Sequence, residues 1–192
     1  MPMGSAPTLE YIQKGKYRAI AEIGVDSGRT SLQLARYLNN EGFLYLFDYE
    51  DKVNVAVSRL RAAGYQNVFG QPNSPKKLDS YNWSLMKLLQ ANRVPIFDYI
   101  YIDGAHTWFH DALAFFLCDK LLHIGGVIDF DDYDWCHAIS PTVNPSVAHW
   151  IADDFTNEQI ESRQIAMVID ILVKRDPRYV PVVENRIYRK TA

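Results

Sequence analysis

From residue 18 onward, short apolar runs alternate with stretches in which apolar residues recur every three to four positions. That alternation of strand and helix periods marks an α/β domain built on a parallel sheet. The first strand is expected at residues 18–23, followed by a helix whose inner face carries Leu32, Ala35 and Leu38. A second strand at 43–47 ends at Asp48. Asp51 is placed to cap the next helix, on which Val53, Val57 and Leu60 face inward, and Gly64 stands where a left-handed residue closes a helix. The third strand is short, 67–70. A helix carrying Trp83, Leu85, Met86 and Leu89 leads to a fourth strand at 97–102, and another helix spans 109–122. His123-Ile-Gly-Gly126 reads as a turn into a fifth strand at 127–130.

Beyond that strand the pattern changes. Residues 133–156 hold Trp135, Pro141, Pro145 and Trp150 with weak periodicity, which suggests a loop and short helix forming a lid or acceptor-side wall. Thr156-Asn-Glu-Gln159 is a capping box, and Ile160, Ile165, Val168, Ile169 and Leu172 continue from it at the spacing of one last helix. Residues 179–183 and 186–190, joined through Glu184-Asn185, read as an antiparallel hairpin. Pro181 has no N–H to donate, so its strand belongs at the sheet edge.

The length of 192 residues suits one domain spanning 1–192, of which 1–17 form a short N-terminal segment and Met1 to Ala6 a tail. A composition of 48% hydrophobic and 22% charged residues excludes the disordered and fibrous classes. The net charge of -3 supplies no basic field for a phosphate backbone, which argues against nucleic acid as partner. Cys118 and Cys136 form no metal or redox spacing, and neither a signal peptide nor a run long enough to span a bilayer is present. A cytoplasmic protein without a membrane partner is expected. A homodimer is compatible with the sequence, which is otherwise silent on assembly.

Candidate chemistry begins at Glu22-Ile-Gly-Val-Asp-Ser-Gly28, between a strand and a helix. Glycines at 24 and 28 let the backbone turn and approach a ligand, and the helix start offers free N–H groups. Alone, this is also what an ordinary strand-to-helix turn looks like. Asp48, about twenty residues on at the end of the second strand, can take both hydroxyls of a ribose, as it would in a nicotinamide enzyme too. Asp103 follows the fourth strand, and Asp131 and Asp132 the fifth, so three acids meet where open α/β sheets place ligands. They would repel one another unless a cation sat between them, and Mg²⁺ or another divalent ion suits their oxygens. Without a metal, Asp132 would cap a turn and Asp103 contact only cofactor. Asp129-Phe-Asp131 has the form of a glycosyltransferase DxD, but alternation turns Asp129 away from the site.

The Glu-x-Gly-x-x-x-Gly loop, Asp48 and the closing hairpin resemble class I S-adenosylmethionine-dependent methyltransferases. The acids at 103, 131 and 132 resemble the metal site of the catechol and macrolide-sugar O-methyltransferases. The resemblance implies a Rossmann-like fold with a mostly parallel seven-stranded sheet and helices on both faces. It implies that Glu22 shapes the loop, that Gly24, Gly28 and Thr30 surround the methionine moiety, that Asp48 binds the ribose, and that Asn73 and Ser74 border the adenine with Tyr49 flanking it. Asp103 would touch cofactor and act in catalysis with the metal ligands Asp131 and Asp132. His106 stands where the catechol enzyme has a lysine; an imidazole with a pKa of about 6.5 can take a hydroxyl proton, so His106 is the expected general base. Trp108, Trp135, His137 and Trp150 are candidates for the acceptor wall. The implied function is metal-assisted O-methylation of a small-molecule or sugar hydroxyl. No Asn/Asp-Pro-Pro-aromatic sequence follows the fourth strand, which argues against amino-methylation of nucleic acids. A non-catalytic cofactor-binding module and a nicotinamide oxidoreductase are the alternatives.

Overall fold

In a computed structural model, which describes residues 6–192, the strand and helix periods become seven strands with helices between them. Helix α1 (Ala6–Ile12) buries Thr8 and Ile12; of the expected tail, residues 1–5 lie outside the described residues. Then come β1 (Ala19–Ile23), α2 (Arg29–Leu38), β2 (Phe43–Tyr49), α3 (Glu50–Ala62), β3 (Val68–Asn73), α4 (Tyr81–Ala91), β4 (Phe97–Ile102), α5 (Trp108–Leu121) and β5 (Leu122–Phe130), the strands pairing in parallel. A 3₁₀ turn (His137–Ile139) and α6 (Trp150–Asp154) follow, then α7 (Asn157–Glu161) and α8 (Gln164–Val168). β6 (Tyr179–Val183) and β7 (Ile187–Lys190) close the sheet, β7 lying antiparallel to β5. The order β3-β2-β1-β4-β5-β7-β6 is the expected mostly parallel, Rossmann-like sheet. Pro72 and Pro181 both fall on its edge strands, β3 and β6, where a missing donor is tolerated.

Alternation along the strands divides the core. Ala21, Ile23, Ile100, Ile128 and Phe130 pack with Leu85 of α4 and Phe115 of α5. Ile20, Leu44, Tyr99, Tyr101 and Val127 pack with Leu34 of α2 and Leu60 of α3. The strand order reverses between β1 and β4, and the crevice beyond their carboxyl ends is where such a sheet receives a ligand. Among the described residues, no helix is long and apolar enough to cross a membrane.

Four stretches differ from expectation. Tyr49 holds the N-cap position of α3, and Asp51 lies in the first turn beside Glu50, where acids complement the helix dipole. β3 continues to Asn73 because it stays in register with β2 as far as Tyr49. β5 starts at Leu122: its residues 122 to 127 span what residues 97 to 99 cover in β4, so the glycine pair lies in a bulge, with Gly125 at φ 87°. The single last helix is broken into α7, α8 and a π-helical turn (Ile169–Val173). Its capping box forms as expected at Thr156. Farther along, Ser162 Oγ donates to the Glu158 carbonyl (2.6 Å), while Gln164 turns to accept the Trp108 N–H (2.7 Å) and to donate to the Gln159 carbonyl (2.9 Å).

Candidate active site

β1 ends in the glycine loop. Gly24, at φ 91°, lies so close to the end of β4 that a β-carbon there would stand 1.8 Å from the Asp103 carbonyl oxygen. Gly28, at φ 75°, is the left-handed N-cap of α2. Glu22 is buried and accepts the Ser31 hydroxyl (2.5 Å); burial holds its carboxyl well above the usual range despite that bond. Asp48 clamps the loop to β2, with Oδ2 accepting the N–H groups of Val25 (2.8 Å) and Asp26 (3.0 Å).

A cavity of about 1000 Å³ runs from this loop to the ends of β4 and β5. Glu22, Gly24, Thr30, Asp48, Tyr49 and Asn73 line one part, and Asp103, His106 and Asp131 another. Gly28 shapes the helix start, and the Ser74 N–H is turned to Asp79 (2.8 Å).

Beyond β4, one oxygen of Asp103 and one of Asp132 converge on His106. His106 Nε2 lies 3.1 Å from Asp103 Oδ1 and 3.1 Å from Asp132 Oδ2, and the three ligand atoms fall within 4.8 Å of one another. His106 and Asp132 adopt φ 55° and 59°, left-handed conformations that turn the chain sharply after each strand. Asp131 is not part of this group. It lies on the same side of β5 as Asp129, where Arg186 reaches it at 3.0 Å and Tyr101 Oη donates to it at 2.7 Å. Among the described residues, Asp103, His106 and Asp132 are close enough to share a cation, while Asp131, which lines the cavity, is engaged by Arg186 and Tyr101. Tyr101 also donates to Asp103 (3.1 Å). It stands two residues before Asp103, on the same face of β4, which is the sequence signal that could have found it.

The charge on His106 follows from its neighbours. Burial opposes a charged ring, but the Asp103 hydrogen bond and the fields of Asp132 and Asp103 outweigh it and push the pKa up to about 9. Burial likewise raises Asp132, to about 6, against the opposing pull of His106. A histidine raised in the folded state lends stability that is complete below its unfolded pKa of about 6.5 and is lost as pH rises through about 9. In metal-free protein, stability should therefore fall across this window by up to about 3 kcal/mol, less for the partial exposure of the pair. Urea unfolding from pH 6 to 9.5 measures the slope, and an equal slope in His106→Ala would rule out His106 as its source.

The remaining wall comes from segments around residues 77–81, 109–110 and 137–159. Lys77 Nζ meets Asp154 at 2.7 Å, joining the loop after β3 to α6. His137 and Trp150 line the cavity as expected, with Phe109 and Phe155 beside them. Trp135 packs against the rings of His106 (5.1 Å) and His137 (4.8 Å), and Trp108 begins α5. The contributions of Lys77 and Phe109 depend on tertiary placement and left no sequence signal.

A glycine loop joined by one cavity to acids at the switch point, on this strand order, defines a class I methyltransferase fold. The sequence pattern of the methyltransferase domain family matches residues 21–133, and the chain belongs to that family, as an S-adenosylmethionine-dependent methyltransferase. Among solved structures it resembles the O-methyltransferase TomG of Streptomyces achromogenes, involved in tomaymycin synthesis and solved with S-adenosylmethionine. Identity is 20% and the TM-score 0.65, covering 100% of this chain and 80% of that one. An O-methyltransferase from Bacillus cereus in complex with S-adenosylhomocysteine gives 20% identity and 0.65, with 100% and 82% covered. A candidate rRNA methylase from Clostridium thermocellum gives 9% and 0.65, with 100% and 98% covered. At these identities the likeness concerns the fold alone. No curated protein matches the sequence.

Proposed function

We propose that the chain, acting as one domain, transfers the methyl group of S-adenosylmethionine to a hydroxyl oxygen of a small molecule. The observation that carries this is the single cavity joining the Gly24 loop to Asp103 and His106, so that a cofactor on one side and an acceptor on the other share one space. Glu22, Gly24, Thr30, Asp48 and Asn73 are assigned to the cofactor, with Gly28 and Ser74 supporting it from behind. Residues 133–156 supply much of the acceptor wall. The mouth favours an acceptor with an apolar body over a sugar, because the lining residues Leu78, Phe109 and Trp150 are 87%, 71% and 54% exposed.

Asp103, Asp132 and His106 fit a divalent cation in donor chemistry, two carboxylate oxygens and one imidazole nitrogen, a mixed set that suits Mn²⁺ as well as Mg²⁺. Such an ion would lower the pKa of an acceptor hydroxyl and offset its developing charge. Asp103 holds its place through Tyr101 and positions the acceptor end of the cavity. His106 acts as a charge partner of two carboxylates or as a third ligand, and in neither role is it free to serve as the base.

Calorimetry tests this directly. S-adenosylmethionine should bind the unaltered chain, and Mn²⁺ should bind in its presence. Asp132→Asn should weaken Mn²⁺ at least about tenfold while leaving the cofactor affinity within about threefold. NAD binding in place of S-adenosylmethionine would defeat the proposal, and cofactor binding with no Mn²⁺ heat would remove the metal from it.

A further inference from the structure

Of the five histidines, His137 is buried to 3% exposure and lines the cavity, yet among the described residues its Nδ1 has no hydrogen-bond partner. The other two histidines of the cavity are engaged, His106 by two carboxylates and His110 through Nδ1 with the Thr107 hydroxyl (2.8 Å). The His137 ring packs against Trp135 at 4.8 Å and Phe155 at 4.6 Å. A buried ring nitrogen without a partner costs free energy, and an apolar side chain would fill the same space without that cost. Nε2 is not among the buried unpartnered atoms, which leaves it as the ring nitrogen open to a ligand in the cavity that the residue lines.

We infer that His137 binds the acceptor hydroxyl and takes its proton during methyl transfer. This rests on the methyl-transfer function proposed above and assigns the proton's destination within it. The acceptor O–H bond breaks with its proton passing to Nε2, and the oxygen forms a bond to the methyl carbon. The carbon–sulfur bond breaks with its electron pair kept by sulfur, so the sulfonium becomes the neutral thioether. The imidazolium then returns its proton to water, and no further reactant is needed. Burial and the nearby charge of His106 both hold the His137 ring below its ordinary pKa, which keeps it neutral and able to accept.

The test uses the full chain, ¹⁵N-labelled in its histidine rings and loaded with S-adenosylhomocysteine, with phenol as the hydroxyl probe. Loss of one ring signal in His137→Gln identifies His137. That signal should report a neutral ring at pH 7 and shift saturably with phenol while His123 and His149 stay fixed. In His137→Phe, phenol affinity should fall on the order of tenfold with S-adenosylhomocysteine affinity unchanged. A His137 signal that phenol does not move, or equal phenol affinity in His137→Phe, overturns the assignment and leaves methyl transfer standing. Failure of S-adenosylhomocysteine to bind the unaltered chain removes both.

Discussion

Gly24→Ala is expected to lower S-adenosylhomocysteine affinity by about a hundredfold or more, about 2.7 kcal/mol, in calorimetric titration. The new β-carbon would stand 1.8 Å from the Asp103 carbonyl oxygen and 2.5 Å from its carbonyl carbon, both backbone atoms at the end of β4. Neither can swing aside as a side-chain tip could. The φ of 91° adds strain that an L side chain cannot relieve in place. The loop must therefore move away from β4, and in moving it breaks the N–H bonds from Val25 and Asp26 to Asp48. Gly28→Ala is the internal control: among the described residues its β-carbon would meet Ala56, with the methyl at 3.4 Å, so the φ of 75° is the main penalty. Its effect should be near tenfold. Gly24→Ala binding within threefold of the unaltered chain would show that the close approach to β4 does not shape the cofactor site.

The contrast between these glycines bears on what a sequence can disclose. Strand β4 was legible because its apolar run is bounded by Asp103-Gly104, and the hairpin was legible because two short strands flank Glu184-Asn185. Thr156 and Gln159 likewise announce their capping box through local bonds alone. The break after α7 was not legible, because the bonds of Gln164 reach Trp108, more than fifty residues away. At the site, Asp103 and Asp132 were visible as strand-end acids. Asp131 was visible in the same way, and the alternation that places Tyr101 and Asp103 on one face of β4 places Asp129 and Asp131 on one side of β5. The pairing of Asp131 with Arg186 was not legible, because Arg186 is brought alongside β5 only by the antiparallel insertion of β7. The upward shift of the His106 pKa was hidden for a similar reason: Asp103 and Asp132 follow different strands, and only the folded sheet brings both to the imidazole.

Arg186→Leu should destabilise the chain by about 3–5 kcal/mol at pH 7.5, the usual cost of leaving buried carboxylates without their cation. Arg186 lies 3.3 Å from Asp129 through Nε and 3.0 Å from Asp131 through Nη1, and it also donates to Thr8 Oγ1 at 2.8 Å. Asp129 is fully buried, and burial raises its pKa to about 6 even with Arg186 opposing the rise. The hydroxyls of Thr8 and Tyr99, each 2.6 Å from Asp129 Oδ2, remain in the variant, but neutral donors cannot balance the charge. The sign of the pH dependence follows. A carboxyl raised in the folded state lends stability at low pH and loses it as pH rises through its folded value, and removing arginine raises that value further. The variant's deficit should therefore be largest above pH 7 and shrink toward pH 5 as Asp129 takes up a proton. Urea unfolding at both pH values measures this, and thermal unfolding at pH 7.5 should show a drop in Tm on the order of 10 °C. Adding Asp129→Asn to Arg186→Leu should recover part of the loss at pH 7.5 and little at pH 5. A deficit that is equal at the two pH values, or one the second substitution cannot reduce, would mean that Arg186 stabilises the sheet by packing and not by its charge.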